Sequence, residues 1–175
     1  MLMDTTVTQI PTTPEADRQA RQQRQQAVVK ALSGVLPDRS ILWRDEAVTP
    51  FECDGLSAYR QRPLAVALPE THEQVGAVLK ACHALNVPVV ARGGGTGLSG
   101  GALPHAMGVT LSLARLNRIL HIDPLARTAV VECGVRNLAI SEAAAQHGLY
   151  YAPDPSSQIA CTIGDNVAEN AGGVH

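Results

Sequence analysis

Residues 92–101 read Arg-Gly-Gly-Gly-Thr-Gly-Leu-Ser-Gly-Gly and directly follow an apolar run at 87–91 that is typical of a buried strand. Glycines let the backbone approach a ligand closely and allow the positive φ values that aim successive amides at an anion. Thr96 and Ser99 add hydroxyl donors, and Arg92 adds a positive charge. We therefore predict that this segment, the glycine loop, binds a diphosphate. A flexible surface loop is the alternative, disfavoured because linkers rarely lie between two buried strands.

A dinucleotide-binding Rossmann motif is the competing interpretation of the same loop. Residues 95–100 match G-x-G-x-x-G, but that motif works by opening a helix whose N-terminus meets the pyrophosphate. Pro104 and Gly108 disfavour a helix there, and a strand pattern resumes at Val109. A Walker loop is excluded because no Lys-Ser or Lys-Thr follows the glycines. The loop is therefore predicted to join two strands.

The residues before the loop predict a strand–helix–strand unit. Residues 64–68 fit a buried strand, and Thr71 is a good helix N-cap with Gln74 three residues later. The apolar positions that follow have the spacing of one helix face. Such a unit normally forms a parallel strand pair with a right-handed crossover.

The residues after the loop change to short strands. Residues 109–113 alternate with period two, and 119–122 and 128–132 do so loosely, which suggests an antiparallel sheet. A helix over 139–147 is predicted to end at Gly148. We therefore predict the α+β class, with an N-terminal strand–helix–strand subdomain followed by a mixed or antiparallel sheet subdomain.

Three regions are predicted along the chain. Residues 1–14 form a disordered tail, and 15–62 comprise a helix over 15–36 with an irregular lead-in to the next strand. The folded domain occupies 63–175.

Composition excludes several classes of function. A net charge of -2 and 3% aromatic residues argue against a nucleic-acid partner. No apolar stretch has membrane-spanning length, and the N-terminus lacks a signal core, so we expect a cytoplasmic protein. Four dispersed cysteines and six scattered histidines predict neither a disulfide framework nor a metal site.

A second candidate segment covers 151–173, rich in Gly, Asn and Ser. Together with the glycine loop it is suited to clamp one extended ligand. Asn166 and Asn170 offer donors and acceptors that match the edge of a heteroaromatic ring. A turn-rich connection without a ligand remains the alternative for this segment.

The glycine loop combined with Asp-Pro-Ser-Ser and Thr-Ile-Gly-x-Asn-x-Ala-x-Asn-Ala-Gly-Gly resembles the FAD-binding domain shared by vanillyl-alcohol oxidase and p-cresol methylhydroxylase (the PCMH type). It is most similar to the branch with the glycolate oxidase FAD subunit and D-lactate dehydrogenases. The resemblance covers 63–175 and implies an FAD-binding domain that is incomplete at its C-terminus. It implies a phosphate cradle and a flavin-facing set of residues. The implied cradle is Arg92, Gly93, Gly94, Gly95, Thr96, Gly97, Leu98 and Ser99, and the implied flavin-facing set is Asp154, Ser156, Thr162, Gly164, Asn166, Ala168 and Asn170.

The resemblance also sets expectations about chemistry. Some relatives attach flavin through a histidine where this sequence has Thr96, so we expect non-covalent FAD. The implied function is FAD binding as the N-terminal part of an oxidoreductase acting on a 2-hydroxy acid such as glycolate or D-lactate. Partner subunits of an oxidase complex are a further implication. The alternative is a non-catalytic module for nucleotide binding or subunit docking.

Two departures from the family pattern lead to further expectations. Asp165 stands where relatives have a second glycine, and we hypothesise that its carboxylate repels the diphosphate and impairs cofactor binding. The chain also ends at His175, within the flavin-contacting segment, so no catalytic or metal-ligating residue is assigned. We expect this chain to bind FAD weakly or not at all, with sheet edges left open.

Overall fold

The computed structural model describes residues 14–174. Apart from Pro14, the predicted tail lies outside the described residues. The helices are α1 (Pro14–Ser33), α2 (Asp45–Val48), α3 (His72–Ala84), α4 (Asn137–Ala144) and α5 (Ile163–Glu169). The strands are β1 (Ile41–Leu42), β2 (Ala65–Ala67), β3 (Val89–Arg92), β4 (Val109–Ser112), β5 (Ile119–Asp123) and β6 (Thr128–Val131). The predicted α+β class is confirmed.

The first sheet has the strand order β1-β2-β4-β3. β2 and β3 both run parallel to β4, with Ala65 and Val89 each opposite Val109. The predicted strands on either side of α3 are therefore parallel, but β4 lies between them. The expectation that residues 109–113 begin an antiparallel sheet is wrong, because β4 is the inner parallel strand of this first sheet.

The burial of β4 explains that error. Its four residues are all buried, including the polar Thr110 and Ser112. Alternation of polar and apolar residues usually marks a strand with one solvent-facing side. In β4 the alternation does not mark a solvent-facing side, because the side chains on both faces of the strand are buried.

The core lies where α1 and α3 meet the first sheet. Val28 and Leu32 of α1, Val78 of α3, and Leu64 and Val109 from the sheet region belong to one buried cluster. The apolar side of α1, the helix predicted over 15–36, therefore packs into this core.

Side chains of α1 also bind the backbone of the sheet region. Gln25 Nε2 donates to the Leu64 carbonyl at 2.8 Å, and Arg21 donates to the carbonyls of Ala106 and, at 3.1 Å, Pro63. Since Pro63 and Ala106 flank β2 and β4, α1 fixes the start of both strands.

The N-terminus of α3 is capped as predicted, with one change. The Thr71 hydroxyl accepts from the Gln74 amide at 3.2 Å. The Gln74 side chain does not return to the Thr71 amide but accepts from the Glu70 amide at 2.7 Å. Two amides near the helix start are still satisfied, as in a capping box.

The second sheet is the antiparallel pair β5–β6, as predicted. α4 follows it and continues as a 3₁₀ turn over Ala145–His147. Gly148, at φ 67°, ends the turn in the left-handed conformation expected of a residue just past a helix.

An ion pair joins Arg118, just before β5, to Glu132, just after β6. The Glu132 side chain is buried and accepts from the Arg118 guanidinium at 2.7 and 3.1 Å and from the Arg118 amide at 2.8 Å. These hydrogen bonds hold the pKa of Glu132 below its ordinary value.

We predict that the substitution Glu132→Gln makes stability less sensitive to acid. Stabilisation from a carboxyl with a lowered pKa is present above its unfolded pKa of about 4.3 and is lost as the pH falls through the folded-state pKa. Thermal melts of the wild type and the variant should therefore differ at neutral pH and converge in acid. A difference in melting temperature that stays constant down to about pH 2 would contradict this assignment.

Candidate functional site

The glycine loop forms turns and irregular backbone, and no helix occurs between β3 and β4. This arrangement lacks the loop-to-helix junction on which Rossmann binding of pyrophosphate depends. Gly95, at φ 68°, takes the left-handed conformation that only glycine adopts at little cost. The backbone amides of the loop are therefore not part of the N-terminus of a following helix, as they would be in a Rossmann fold.

Arg92, at the end of β3, supports the shape of the loop. Its Nη1 donates to the Cys53 carbonyl at 2.6 Å, and its guanidinium carbon lies 5.6 Å from the centre of the Phe51 ring. A Cβ on Gly95 would lie 2.8 Å from Arg92 Nε, so the guanidinium lies against the loop backbone. The Arg92 guanidinium therefore contacts residues 51–53, in the irregular segment before β2.

Gly55 brings the lead-in segment against the loop from the other side. A Cβ at Gly55 would lie 2.8 Å from the carbonyl oxygens of both Thr96 and Gly97. The irregular segment before β2 is therefore part of the site, although the sequence alone gave it no function.

The first residues of α5 are hydrogen-bonded to the backbone of residues 133–135. The Gly164 amide donates to the Cys133 carbonyl at 2.8 Å, and the Ile163 amide donates to the Val135 carbonyl at 2.9 Å. A Cβ on Gly164 would lie 2.9 Å from Cys133 Cβ, so glycine permits this close approach. The Gly164 amide, expected to face a ligand, is bound within the protein.

The two candidate segments meet at Asp165. Its Oδ1 accepts from the Gly93 amide at 3.0 Å, and its Oδ2 accepts from the Gly94 amide at 2.7 Å. Further along the same helix, a Cβ at Gly97 would lie 2.8 Å from Glu169 Oε2. The structure thus brings α5 directly against the glycine loop.

A groove of about 600 Å³ runs between them. Its lining comes from the whole of β3, from Gly93 and Gly101 of the loop and from α5, and it includes the predicted residues Arg92, Gly93, Thr162, Gly164, Asp165 and Ala168. Cys133 and Glu169 also line it, and neither was among the predicted site residues. Glu169 follows Asp165 by four residues, which is the spacing of one helix face, but no helix was predicted over 163–169 and this signal was not used. Burial raises the pKa of the Cys133 thiol.

Two buried polar atoms lie on the α5 side of the site. Thr162 and Asn166 are 4% and 7% exposed. Within residues 14–174, Thr162 Oγ1 and Asn166 Nδ2 have no hydrogen-bond partner. Buried polar groups in folded proteins are nearly always satisfied, so each requires an explanation. Of the two residues, only Thr162 lines the groove.

The remaining predicted residues, which are 94–99, Asp154, Ser156, Asn166 and Asn170, do not line the groove. Asp154 Oδ1 accepts from the Val174 amide at 3.1 Å, and the Asp154 amide donates to the Gly172 carbonyl at 3.0 Å. Asn170, at φ 55°, ends α5 in the left-handed conformation and is exposed. Leu98, Ser99 and Ser156 are also exposed.

The local charge is negative. Asp165 and Glu169 face the loop, while the guanidinium of Arg92 is bound to the Cys53 carbonyl. An amide pair that binds a carboxylate is able to bind a phosphate oxygen by the same hydrogen bonds. The cradle is therefore built for an anion, and Asp165 provides one from within the chain.

Known proteins resemble this chain in sequence over most of its length. A family model described as an FAD binding domain matches residues 63–175. The glycolate oxidase subunit GlcD of Escherichia coli is 61% identical over 162 residues, which is 93% of this chain and 31% of the relative. The D-lactate dehydrogenase of Archaeoglobus fulgidus is 42% identical over 109 residues, covering 62% of this chain and 24% of the relative. The chain thus spans about a third or less of the length of these relatives.

Solved structures show the same fold. Alkyldihydroxyacetonephosphate synthase superposes with a TM-score of 0.73 at 22% identity, covering 83% of this chain and 32% of the other. p-Cresol methylhydroxylase superposes with a TM-score of 0.67 at 26% identity, covering 80% and 28%. Together with the match over residues 63–175, these similarities establish that the chain belongs to the FAD-binding domain family of the PCMH type.

Proposed function

We propose that this chain binds FAD non-covalently in the groove between the glycine loop and α5, as the N-terminal part of an oxidoreductase. The observation that carries the proposal is the contact of α5 with the glycine loop, where the Gly93 and Gly94 amides bind the two oxygens of the Asp165 carboxylate beside a groove that Thr162 lines. A ligand with both an anionic linker and a polar ring system matches such a pair of surfaces.

The residues present fit this cofactor, with Asp165 as the exception. The loop residues 92–99 would hold the diphosphate, and Thr162, Gly164, Asn166 and Ala168 would face the flavin. Asp154, Ser156 and Asn170 extend that side of the site. FAD supplies the hydride-accepting ring, and the protein supplies orientation and electrostatics.

Non-covalent attachment is supported by the residue at position 96. Thr96 has no imidazole nitrogen to form a link to the ring. Cys161, two residues before α5, is 1% exposed. A thiol so deeply buried is poorly placed to react with a ligand in the groove.

The substrate class is proposed from the relatives. The names glycolate oxidase, D-lactate dehydrogenase and D-2-hydroxyglutarate dehydrogenase all denote enzymes for 2-hydroxy acids. We propose the same class here, and because one relative is named as a subunit, we propose that partner subunits assemble with this protein. Among residues 14–174, no helix is long and apolar enough to cross a membrane. We propose a cytoplasmic location.

A non-catalytic docking module is the second candidate, and one observation favours it. Leu98 in the glycine loop, Ile159 before α5 and Val167 on α5 are large apolar side chains that are exposed. Exposed apolar clusters commonly mark protein–protein contacts. Such a module would recruit a partner without any flavin.

A titration of the purified chain with FAD separates the two candidates. We expect a saturable change in flavin fluorescence that ADP competes away, since ADP shares the diphosphate. Dye reduction on adding glycolate or D-lactate then tests for activity. Absence of any saturable FAD signal at millimolar concentration, in the wild type and in an Asp165→Gly variant, would favour the docking module.

A further inference from the structure

We propose that the carboxylate of Asp165 occupies the phosphate position of the glycine loop and thereby determines which flavin the groove accepts. FAD and other diphosphate ligands must displace it, whereas riboflavin, which has no phosphate, does not. This inference rests on the proposed flavin site and identifies the residue that sets its ligand preference.

The hydrogen bonds are those of a bound anion. One carboxylate oxygen accepts from each of two successive amides, Gly93 at 3.0 Å and Gly94 at 2.7 Å. Each backbone amide carries a single proton. While both protons are directed at Asp165, neither is free for a phosphate oxygen.

The carboxylate fits because the backbone leaves room for it. A Cβ at Gly93 would lie 2.5 Å from each Asp165 carboxylate oxygen and would also collide with Thr162 Oγ1. The space that glycine keeps open beside the loop is therefore filled by the Asp165 carboxylate and the Thr162 hydroxyl.

The helix start fixes the side chain in this position. Asp165 is the third residue of α5, and Gly164, just before it, is bound to the Cys133 carbonyl. The carboxylate cannot withdraw far without a new rotamer, and it leaves two amides unsatisfied when it does. Electrostatic repulsion by a diphosphate acts in the same direction as this loss of donors.

Ligands of different charge should therefore respond differently to substitution at position 165. Asp165→Gly frees both amides and removes the charge. Asp165→Asn removes the charge but leaves one amide oxygen able to accept from one of the two amides. We expect affinity for FAD and for ADP to rise about tenfold or more in the glycine variant, which corresponds to about 1.4 kcal/mol, and to rise less in the asparagine variant. Riboflavin affinity should stay within about twofold.

The experiment titrates the whole chain with FAD, ADP and riboflavin in four proteins. These are the wild type, Asp165→Gly, Asp165→Asn and the control Glu142→Gln, which removes an exposed carboxylate on α4 that does not line the groove. Thermal melts establish that each variant is folded. Asparagine keeps an acceptor at the loop, so it tests the inference even if the glycine variant unfolds.

The outcomes separate this inference from the proposed function. Gains for FAD and ADP, with riboflavin and the control unchanged, support it. FAD binding that is equal in all four proteins would overturn the role of Asp165 and leave the flavin site intact. An equal gain for riboflavin would also overturn it, because the groove would then have loosened in general. No FAD binding in any protein would remove the flavin site and this inference with it.

Discussion

Replacing Gly94 with alanine should reduce FAD affinity at least tenfold and lower the free energy of unfolding by about 1–3 kcal/mol. An alanine Cβ there would lie 2.6 Å from the Ala160 carbonyl oxygen and 3.3 Å from Cys161 Cα. Both obstacles are backbone atoms, which cannot rotate away as a side chain can. The added methyl therefore pushes apart the two segments that form the groove.

The matched control for this variant is Gly101→Ala in the same loop. The nearest atom to a Cβ there is Glu169 Oε1 at 3.4 Å, the end of a flexible side chain. We expect stability within about 0.5 kcal/mol of the wild type. Urea denaturation and FAD titration measure both effects. If the alanine variants at 94 and 101 behave alike, the close packing of the loop on residues 160–161 is not required.

Leu64→Ala should lower the free energy of unfolding by about 2–5 kcal/mol. Leu64 is fully buried beside β2, within the cluster shared with α1 and α3. Its amide donates to the Gly108 carbonyl at 2.8 Å, at the start of β4. Truncation leaves a cavity at the point where both helices and two strands meet, and well-packed surroundings collapse into it only in part.

Leu125→Ala provides the comparison, because Leu125 is 97% exposed. The same atoms are removed, but no cavity forms, and we expect a change within about 0.5 kcal/mol. Chemical denaturation of both variants gives the two values. A difference between them below about 1 kcal/mol would contradict the placement of Leu64 in the core.

Local features of the fold were accessible from the sequence. The Thr71 cap, the helix after it and the Gly148 terminus follow from hydrogen-bonding and backbone preferences of a few adjacent residues. The position of β4 was not accessible, since strand order depends on long-range pairing. Its alternating pattern was misleading because Thr110 is as buried as Val109.

The same contrast between local and long-range features applies to the candidate site. The residue types of the glycine loop and of 162–170 indicated one ligand, and the structure does bring these segments together. The direction in which each polar group of the site points depends on contacts with residues far away in the sequence. Arg92 is held by Cys53, and the Gly164 amide is held by Cys133, partners that no local pattern indicates. Asp165 was expected to repel a diphosphate, and the structure shows its carboxylate bound to the Gly93 and Gly94 amides of the glycine loop.

Amide chemical shifts of the whole chain, followed by NMR during an FAD titration, test whether the glycine loop and α5 form a single flavin site. We predict that the amides of Gly93 and Gly94 and those of residues 162–166 shift together, with the same half-saturation concentration. Saturable FAD binding that moves only one of these segments, or moves residues elsewhere in the chain, would contradict a shared groove.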